Sequence, residues 1–168
     1  MARHAMCATA HPLASLTAIE TLKAGGNAVD AAVAAVAVLC VVEPAMTGIG
    51  GDCFALIAEP DKPVWGYNGC GRSGAKSSTE ALLDKGMTSI PATSPFAVNV
   101  PGAIEAWGAI LKARGTWSLD RVLAPAINYA ENGFPIAPRV GFDWAKQLAK
   151  LGLKARDILR KKGTTLET

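Results

Sequence analysis

Between Ala31 and Val42 the chain carries 12 consecutive residues without a polar side chain, Ala-Ala-Val-Ala-Ala-Val-Ala-Val-Leu-Cys-Val-Val. A helix that spans a bilayer needs about 20 apolar residues, so this run is too short to cross one. It reads as a helix at the centre of a core. Because Ala and Val occupy all of its faces, it is expected to be covered on every side. The rest of the chain must supply that cover. The 168 residues are 50% hydrophobic and 18% charged, a balance that excludes a disordered chain. A chain of this length suggests one domain, able to bury about 70% of the surface its unfolded form exposes.

The flanking sequence predicts the elements around that helix. Pro12 to Lys23 places Leu13, Leu16, Ile19 and Leu22 at three-residue intervals, which predicts an amphipathic helix buried along that row. Gly25 and Gly26 end it. Asn27 is a good N-cap for the central helix, and Asp30 sits where a carboxylate favours the helix N-terminus. Pro44 stops that helix. Residues 45–52 form a glycine-rich loop. Cys53 to Glu59 reads as a buried strand and the stretch around Val64 to Asn68 as a second one, joined by a four-residue turn, Pro60-Asp61-Lys62-Pro63, and hence as a hairpin.

Thr79 reads as the cap of a short helix through Leu83, and Thr88 to Pro101 as irregular. Gly102 to Arg114 reads as a helix with Ile104, Trp107, Ile110 and Leu111 on one face. Ser118 caps a further helix, within which Pro125 either kinks the chain or opens a new helix. Asn132-Gly133 ends that segment. From Trp144 to Lys162 the pattern is basic and weakly amphipathic, broken at Gly152. The order of elements predicts an α+β layering, with an antiparallel sheet carrying helices on one face.

Charge divides the chain unevenly. The net charge is +3, but residues 146–168 hold seven Lys/Arg against two acids, which leaves −2 over the first 145. The expected organisation is therefore a body of residues 1–145 and a basic tail of residues 146–168. Without aromatic residues interleaved among basic ones, no nucleic-acid partner is expected. No membrane partner is expected either. Cys7, Cys40, Cys53 and Cys70 form no C-x-x-C pair, so a reducing compartment is expected. With no charged-then-apolar leader pattern, the expected location is the cytoplasm.

Four groups of residues could carry chemistry. Gly48, Gly50 and Gly51 could let a backbone approach a ligand. However, no Gly-Lys-Ser/Thr follows and a strand rather than a helix comes next, so a tight turn or close packing is the expected role. A nucleotide site on this loop would bind ATP or NAD, and no such cofactor is expected. His4, Cys7 and His11 lack a third group to orient a nucleophile–base pair, and no metal-ligand spacing fits. His11, just before Pro12, is expected to cap the helix start. Arg72, between glycines in Asn68-Gly69-Cys70-Gly71-Arg72-Ser73-Gly74, can fork around a carboxylate, with Cys70 beside it. Gly163-Thr164-Thr165 offers an N-terminal nucleophile only if cleavage frees the Thr amine, and such a cut would leave four or five residues.

Residues 9–57 strongly resemble the start of the γ-glutamyltransferase (γ-glutamyltranspeptidase) family, through Gly25-Gly-Asn-Ala-Val-Asp-Ala-Ala-Val-Ala34 and Gly48-Ile-Gly-Gly51 leading into a strand. Val100-Pro-Gly-Ala-Ile-Glu-Ala-Trp107 and Leu123-Ala-Pro-Ala-Ile-Asn-Tyr-Ala-Glu-Asn-Gly-Phe-Pro-Ile136 fit as a second block. The resemblance covers about residues 6–142 and is poor from Trp144. It implies an N-terminal-nucleophile hydrolase, an αββα sandwich made as a proenzyme that cuts itself into a large and a small subunit. The new N-terminal Thr of the small subunit would attack a γ-glutamyl amide such as glutathione. It would form an acyl-enzyme and pass the acyl group to water or an amino acid.

By this resemblance the chain is the N-terminal part of a large subunit. Its partners are the remainder of that subunit and the small subunit bearing the nucleophilic Thr, and by itself it is expected to be inactive. Asn68-Gly-Cys-Gly-Arg-Ser-Gly74 is similar to the Asn-Gly-Ser-Gly-Arg-Ala-Pro of γ-glutamyltransferase-like relatives, which include acylases and amidohydrolases. The resemblance places Cys70 where γ-glutamyl-specific members carry an Arg that holds the substrate α-carboxylate. Arg72, two residues on, shares a face with position 70 if the chain is extended there. Cys70 and Arg72 are therefore the expected substrate-facing residues. A non-catalytic paralogue or interaction module is the alternative reading.

Overall fold

Ala28–Val42 forms the expected central helix in a computed structural model of the chain, which describes residues 2–148 and 150–152. The elements are α1 (Pro12–Lys23), α2 (Ala28–Val42), β1 (Cys53–Ile57), β2 (Trp65–Gly69), α3 (Thr79–Leu83), α4 (Ala103–Arg114), α5 (Leu119–Asn132) and α6 (Pro138–Leu148). A single 3-10 turn at Pro95–Ala97 interrupts the otherwise irregular stretch before α4. No helix among the described residues is long and apolar enough to cross a membrane. The order is α+β, and α2 packs against α1, α5 and α4.

The α1–α2 corner is built residue by residue. The Gly26 amide donates to the Thr21 carbonyl (3.0 Å) and the Gly25 amide to Leu22 (3.2 Å), with Gly25 at φ +92. This is the double hydrogen bond that ends a helix on a left-handed residue. Asn27 Oδ1 then accepts from the Val29 and Asp30 amides, and Asp30 Oδ2 accepts from the Asn27 amide, so each end of the capping box is closed. At the start of α1, His11 Nδ1 accepts from the Leu13 amide at 3.2 Å, as a capping residue should.

Two expectations about burial hold only in part. α1 buries Ala14, Thr17, Ala18 and Thr21; of its apolar row, Leu13 and Leu22 pack half-buried against the core, while Leu16 is 48% exposed. α2 is rich in alanine, so its partner comes closest by presenting small residues, and shape takes precedence over apolar bulk. Nor is α2 covered on all sides. Val33, Ala34, Val38 and Val42 are buried, each valine worth about 1.5 kcal/mol or more. Ala28 and Ala32 are exposed, and Val36 and Cys40 only half-buried, so one stripe of the helix stays open.

β1 and β2 pair antiparallel in the register Cys53↔Gly69 through Ile57↔Trp65. β1 ends two residues earlier than expected and β2 begins one residue later, so residues 58–64 form a seven-residue connection rather than four. β1 is not the buried strand expected: Cys53, Ala55 and Ile57, with Trp65 and Tyr67 of β2, turn toward the helices, but among the described residues no element covers the other face, where Phe54 and Leu56 are exposed. α4 lies against both strands with Ala106, Trp107, Ile110 and Leu111 buried; Ile104, expected on that face, is exposed.

Pro125 does not start a helix but lies inside α5. α6 spans Pro138–Leu148, so the basic pattern from Trp144 begins inside a helix. Residues 153–168, with Gly163-Thr164-Thr165, lie outside the described residues.

Candidate functional site

Three segments meet at one end of the hairpin: Gly51–Asp52 entering β1, Gly69–Arg72 leaving β2, and Val100–Ala103 entering α4. The amides of Gly102 and Ala103 both donate to the Gly51 carbonyl, at 3.1 and 3.0 Å. The Gly71 amide donates to Asp52 Oδ1 at 2.9 Å. The Val100 amide donates to the Arg72 carbonyl at 2.9 Å, and the Cys70 amide to Asn68 Oδ1 at 3.0 Å.

Side-chain-free positions make this junction possible. A Cβ on Gly71 would overlap the Val100 carbonyl oxygen, one on Gly102 the Gly69 carbonyl, and one on Gly69 the Ala106 side chain. The close packing expected of Gly48, Gly50 and Gly51 therefore belongs to Gly69, Gly71 and Gly102. No atom lies within 4 Å of a Cβ built on Gly48, Gly50 or Gly51, and none of the three has a positive φ.

Both expected substrate-facing residues sit on this rim and are exposed. The Cys70 thiol reaches only the Gly71 carbonyl, at 3.6 Å. Arg72 has its backbone fixed on both sides, by the Gly71–Asp52 and Val100–Arg72 hydrogen bonds. Among the described residues its guanidinium makes no ion pair or hydrogen bond. Beside the rim the Tyr67 hydroxyl donates to the Glu105 carboxylate (3.1 and 3.2 Å). Partial burial and that carboxylate push the Tyr67 phenol above its ordinary range.

The structure does not assemble His4, Cys7 and His11 into a site. His4 is exposed, Cys7 is half-buried, and His11 is spent on the α1 cap. Burial pushes the Cys40 and Cys53 thiols up, which keeps them protonated at neutral pH, the wrong state for a nucleophile. Among the described residues no group of three or more His, Cys, Asp or Glu side chains could hold a metal ion.

Asp52, Val100 and Gly102 were not evident as parts of the site from the sequence. An Asp directly after the glycine run was the available signal. Its partner lies 19 residues further on, in a loop whose position depends on the hairpin.

An apolar groove of about 480 Å3 runs along the site's hairpin, lined by Ala28, Ala32 and Val36 of the open α2 stripe, by β1, and by Trp107 and Ile110. Among the described residues β1 pairs only with β2, so its other edge is free on the groove side of the hairpin.

The sequence model of the family described as Gamma-glutamyltranspeptidase matches residues 14–168. The chain is 46% identical over 134 residues to the glutathione hydrolase-like YwrD proenzyme of Bacillus subtilis (strain 168), covering 79% of this chain and 25% of that protein. It is 35% identical over 154 residues to the oxamate amidohydrolase proenzyme of Klebsiella pneumoniae, covering 88% of this chain and 29% of that one. The solved structure of Helicobacter pylori gamma-glutamyltranspeptidase superposes with a TM-score of 0.86 at 32% identity, over 97% of this chain and 48% of that chain. The chain thus spans between a quarter and three-tenths of the length of these curated relatives.

Proposed function

Because the chain belongs to the gamma-glutamyltranspeptidase family, we propose that it forms the N-terminal part of the large subunit of an amide hydrolase or acyltransferase. In this reading it supplies one wall of the substrate pocket, and the attacking group comes from polypeptide docked against it. A Thr hydroxyl of the small subunit attacks the amide carbonyl carbon. The C–N bond breaks, the amine leaves with the hydroxyl proton, and an ester-linked acyl-enzyme remains. Water or an amino-acid amine then takes the acyl group. Residues 1–145 form the wall, and the basic excess lies in residues 146–168. Alone, the chain is inactive.

The observation that carries the substrate assignment is Arg72, with its backbone fixed at both ends and its guanidinium, on an exposed rim, unpaired among the described residues. A planar fork of donors held this way suits a carboxylate. Glutathione and oxamate, after which the two curated relatives are named, are both amides that carry a carboxylate. The substrate class proposed is therefore a carboxylate-bearing amide, a γ-glutamyl amide among them, with Arg72 on the carboxylate and Cys70 beside it.

The test is Arg72→Ala in the full-length protein. For a carboxylate-bearing amide it is expected to lower kcat/KM by about 1.5–3 kcal/mol, the worth of a hydrogen bond to a charged group. Arg72→Lys keeps the charge but not the fork and should recover only part of the loss. An unchanged kcat/KM in Arg72→Ala removes Arg72 from the pocket.

The docking half of the proposal rests on the hairpin. Phe54 is 66% and Leu56 82% exposed on its outward face, next to the free edge of β1 and the open α2 stripe. An αββα sandwich places a second sheet on such a face, and the remaining polypeptide would also continue the sheet from β1.

A further inference from the structure

We propose that Asp52 is the residue that sets the position of the substrate-facing loop, acting through the Gly71 amide. This inference rests on the reading of Arg72 as the carboxylate receptor and adds to it the group that aims it.

The loop from Cys70 to Arg72 belongs to no helix or strand, so the hairpin ladder, which ends at Gly69, does not hold it. Two long-range hydrogen bonds do. One runs from the Val100 amide to the Arg72 carbonyl and the other from the Gly71 amide to Asp52 Oδ1. The first joins backbone to backbone and survives any side-chain change. The second is the only one of the two made by a side chain, and its acceptor is charged, which makes it the stronger kind.

Asp52 is itself well placed to act as a post. It stands between Gly51, whose carbonyl takes two amides from the start of α4, and Cys53, the first residue of β1. Its backbone is thus fixed by the fold. Gly71 cannot retreat toward Val100, because the Val100 carbonyl already fills the space a Cβ would need. A carboxylate on one side and a carbonyl wall on the other leave the Gly71 peptide one position, and the Arg72 side chain leaves the loop at the next residue. Asp52 therefore touches no substrate atom; it is a positioning residue.

Two variants of the full-length protein separate this role from general stability: Asp52→Ala removes the acceptor, and Asp52→Asn keeps a neutral one. With a carboxylate-bearing amide, Asp52→Ala is expected to raise KM about tenfold with kcat within about twofold, and Asp52→Asn to recover most of the loss. The rate at which a small maleimide alkylates Cys70 reads the loop without reference to activity. It should change at least threefold in Asp52→Ala and little in Asp52→Asn, in a background where Cys7, Cys40 and Cys53 are replaced by Ala.

If Arg72→Ala leaves KM unchanged while Asp52→Ala still alters Cys70 alkylation, the substrate reading falls and the positioning role stands. If Asp52→Ala leaves both KM and the alkylation rate as in the parent protein, the positioning role is overturned. A matched fall in kcat and melting temperature, with KM unchanged and no rescue by Asn, also overturns it.

Discussion

Asp30 shows how much of a family-like signature is architecture rather than chemistry. It is fully buried and accepts from the Asn27 amide (2.8 Å), the Thr116 amide (2.9 Å), the Thr116 hydroxyl (2.6 Å) and the Trp117 amide (3.1 Å). Asn27 Nδ2 donates to the Arg114 carbonyl at 2.7 Å, so one Asn-Asp pair fastens the start of α2 to the end of α4. Burial raises the Asp30 carboxyl pKa, but the hydrogen bonds from Thr116, Asn27 and Trp117 outweigh it and leave the group below its ordinary value. Asp30→Asn should therefore cost about 3 kcal/mol at pH 7, because it leaves buried donors poorly met. A folded pKa below the unfolded value of about 3.9 gives stability that is present above that pH and lost as pH falls through the folded pKa. The gap in melting temperature between parent and Asp30→Asn should accordingly narrow below about pH 4. The capping half of this node was legible, since Asn27 and Asp30 have the spacing of a capping box. The other half, Thr116, lies 86 residues away and leaves no local trace. Glycines divide in the same way. Gly71→Ala should disturb the rim, while Gly50→Ala, with open space around it, should leave the melting temperature within about 2 °C.

The elements show where hydrophobic pattern misleads. The i+3 apolar row of α1 correctly indicates a helix, and its ends match the structure, but the row is only partly buried, and Ala14, Thr17, Ala18 and Thr21 form the buried face. Periodicity registers apolar bulk and is blind to how near the neighbouring helix comes. Against alanine-rich α2 the small row wins, leaving Leu16 about half exposed. Ala14→Leu or Ala18→Leu should therefore cost about 1–3 kcal/mol by overpacking, and Leu16→Ala no more than about 0.5 kcal/mol, measured by denaturant melting of the folded protein. The opposite result would restore the leucine row to the core. The hairpin was legible from β-rich runs around a Pro-Asp-Lys-Pro turn, but Cys53–Ile57 is apolar throughout, so nothing in the run marked Phe54 and Leu56 as the outward face. The rim was only half legible. Arg72 and Cys70 stand out by composition, whereas their fixing by Asp52 and Val100 depends on contacts that only the folded hairpin creates.

At the scale of the molecule, the open α2 stripe, the outward Phe54 and Leu56 and the free edge of β1 lie on one side, along one groove. Contiguous apolar surface of this kind marks a place where polypeptide docks. The expected full cover of α2 fails within this chain for the same reason. Replacing Phe54 with Ser and Leu56 with Lys together should reduce apolar-dye fluorescence of the chain expressed alone without lowering its melting temperature, since neither side chain is part of its core. The central claim is that this chain is one wall of an amide-cleaving site whose attacking group arrives on other polypeptide. Its most direct measurement is release of the chromophore from a γ-glutamyl anilide by residues 1–168 alone, beside the same residues within the full-length protein. The account predicts no turnover above background from the chain alone and turnover from the full-length protein. Sustained turnover by residues 1–168 alone would contradict it.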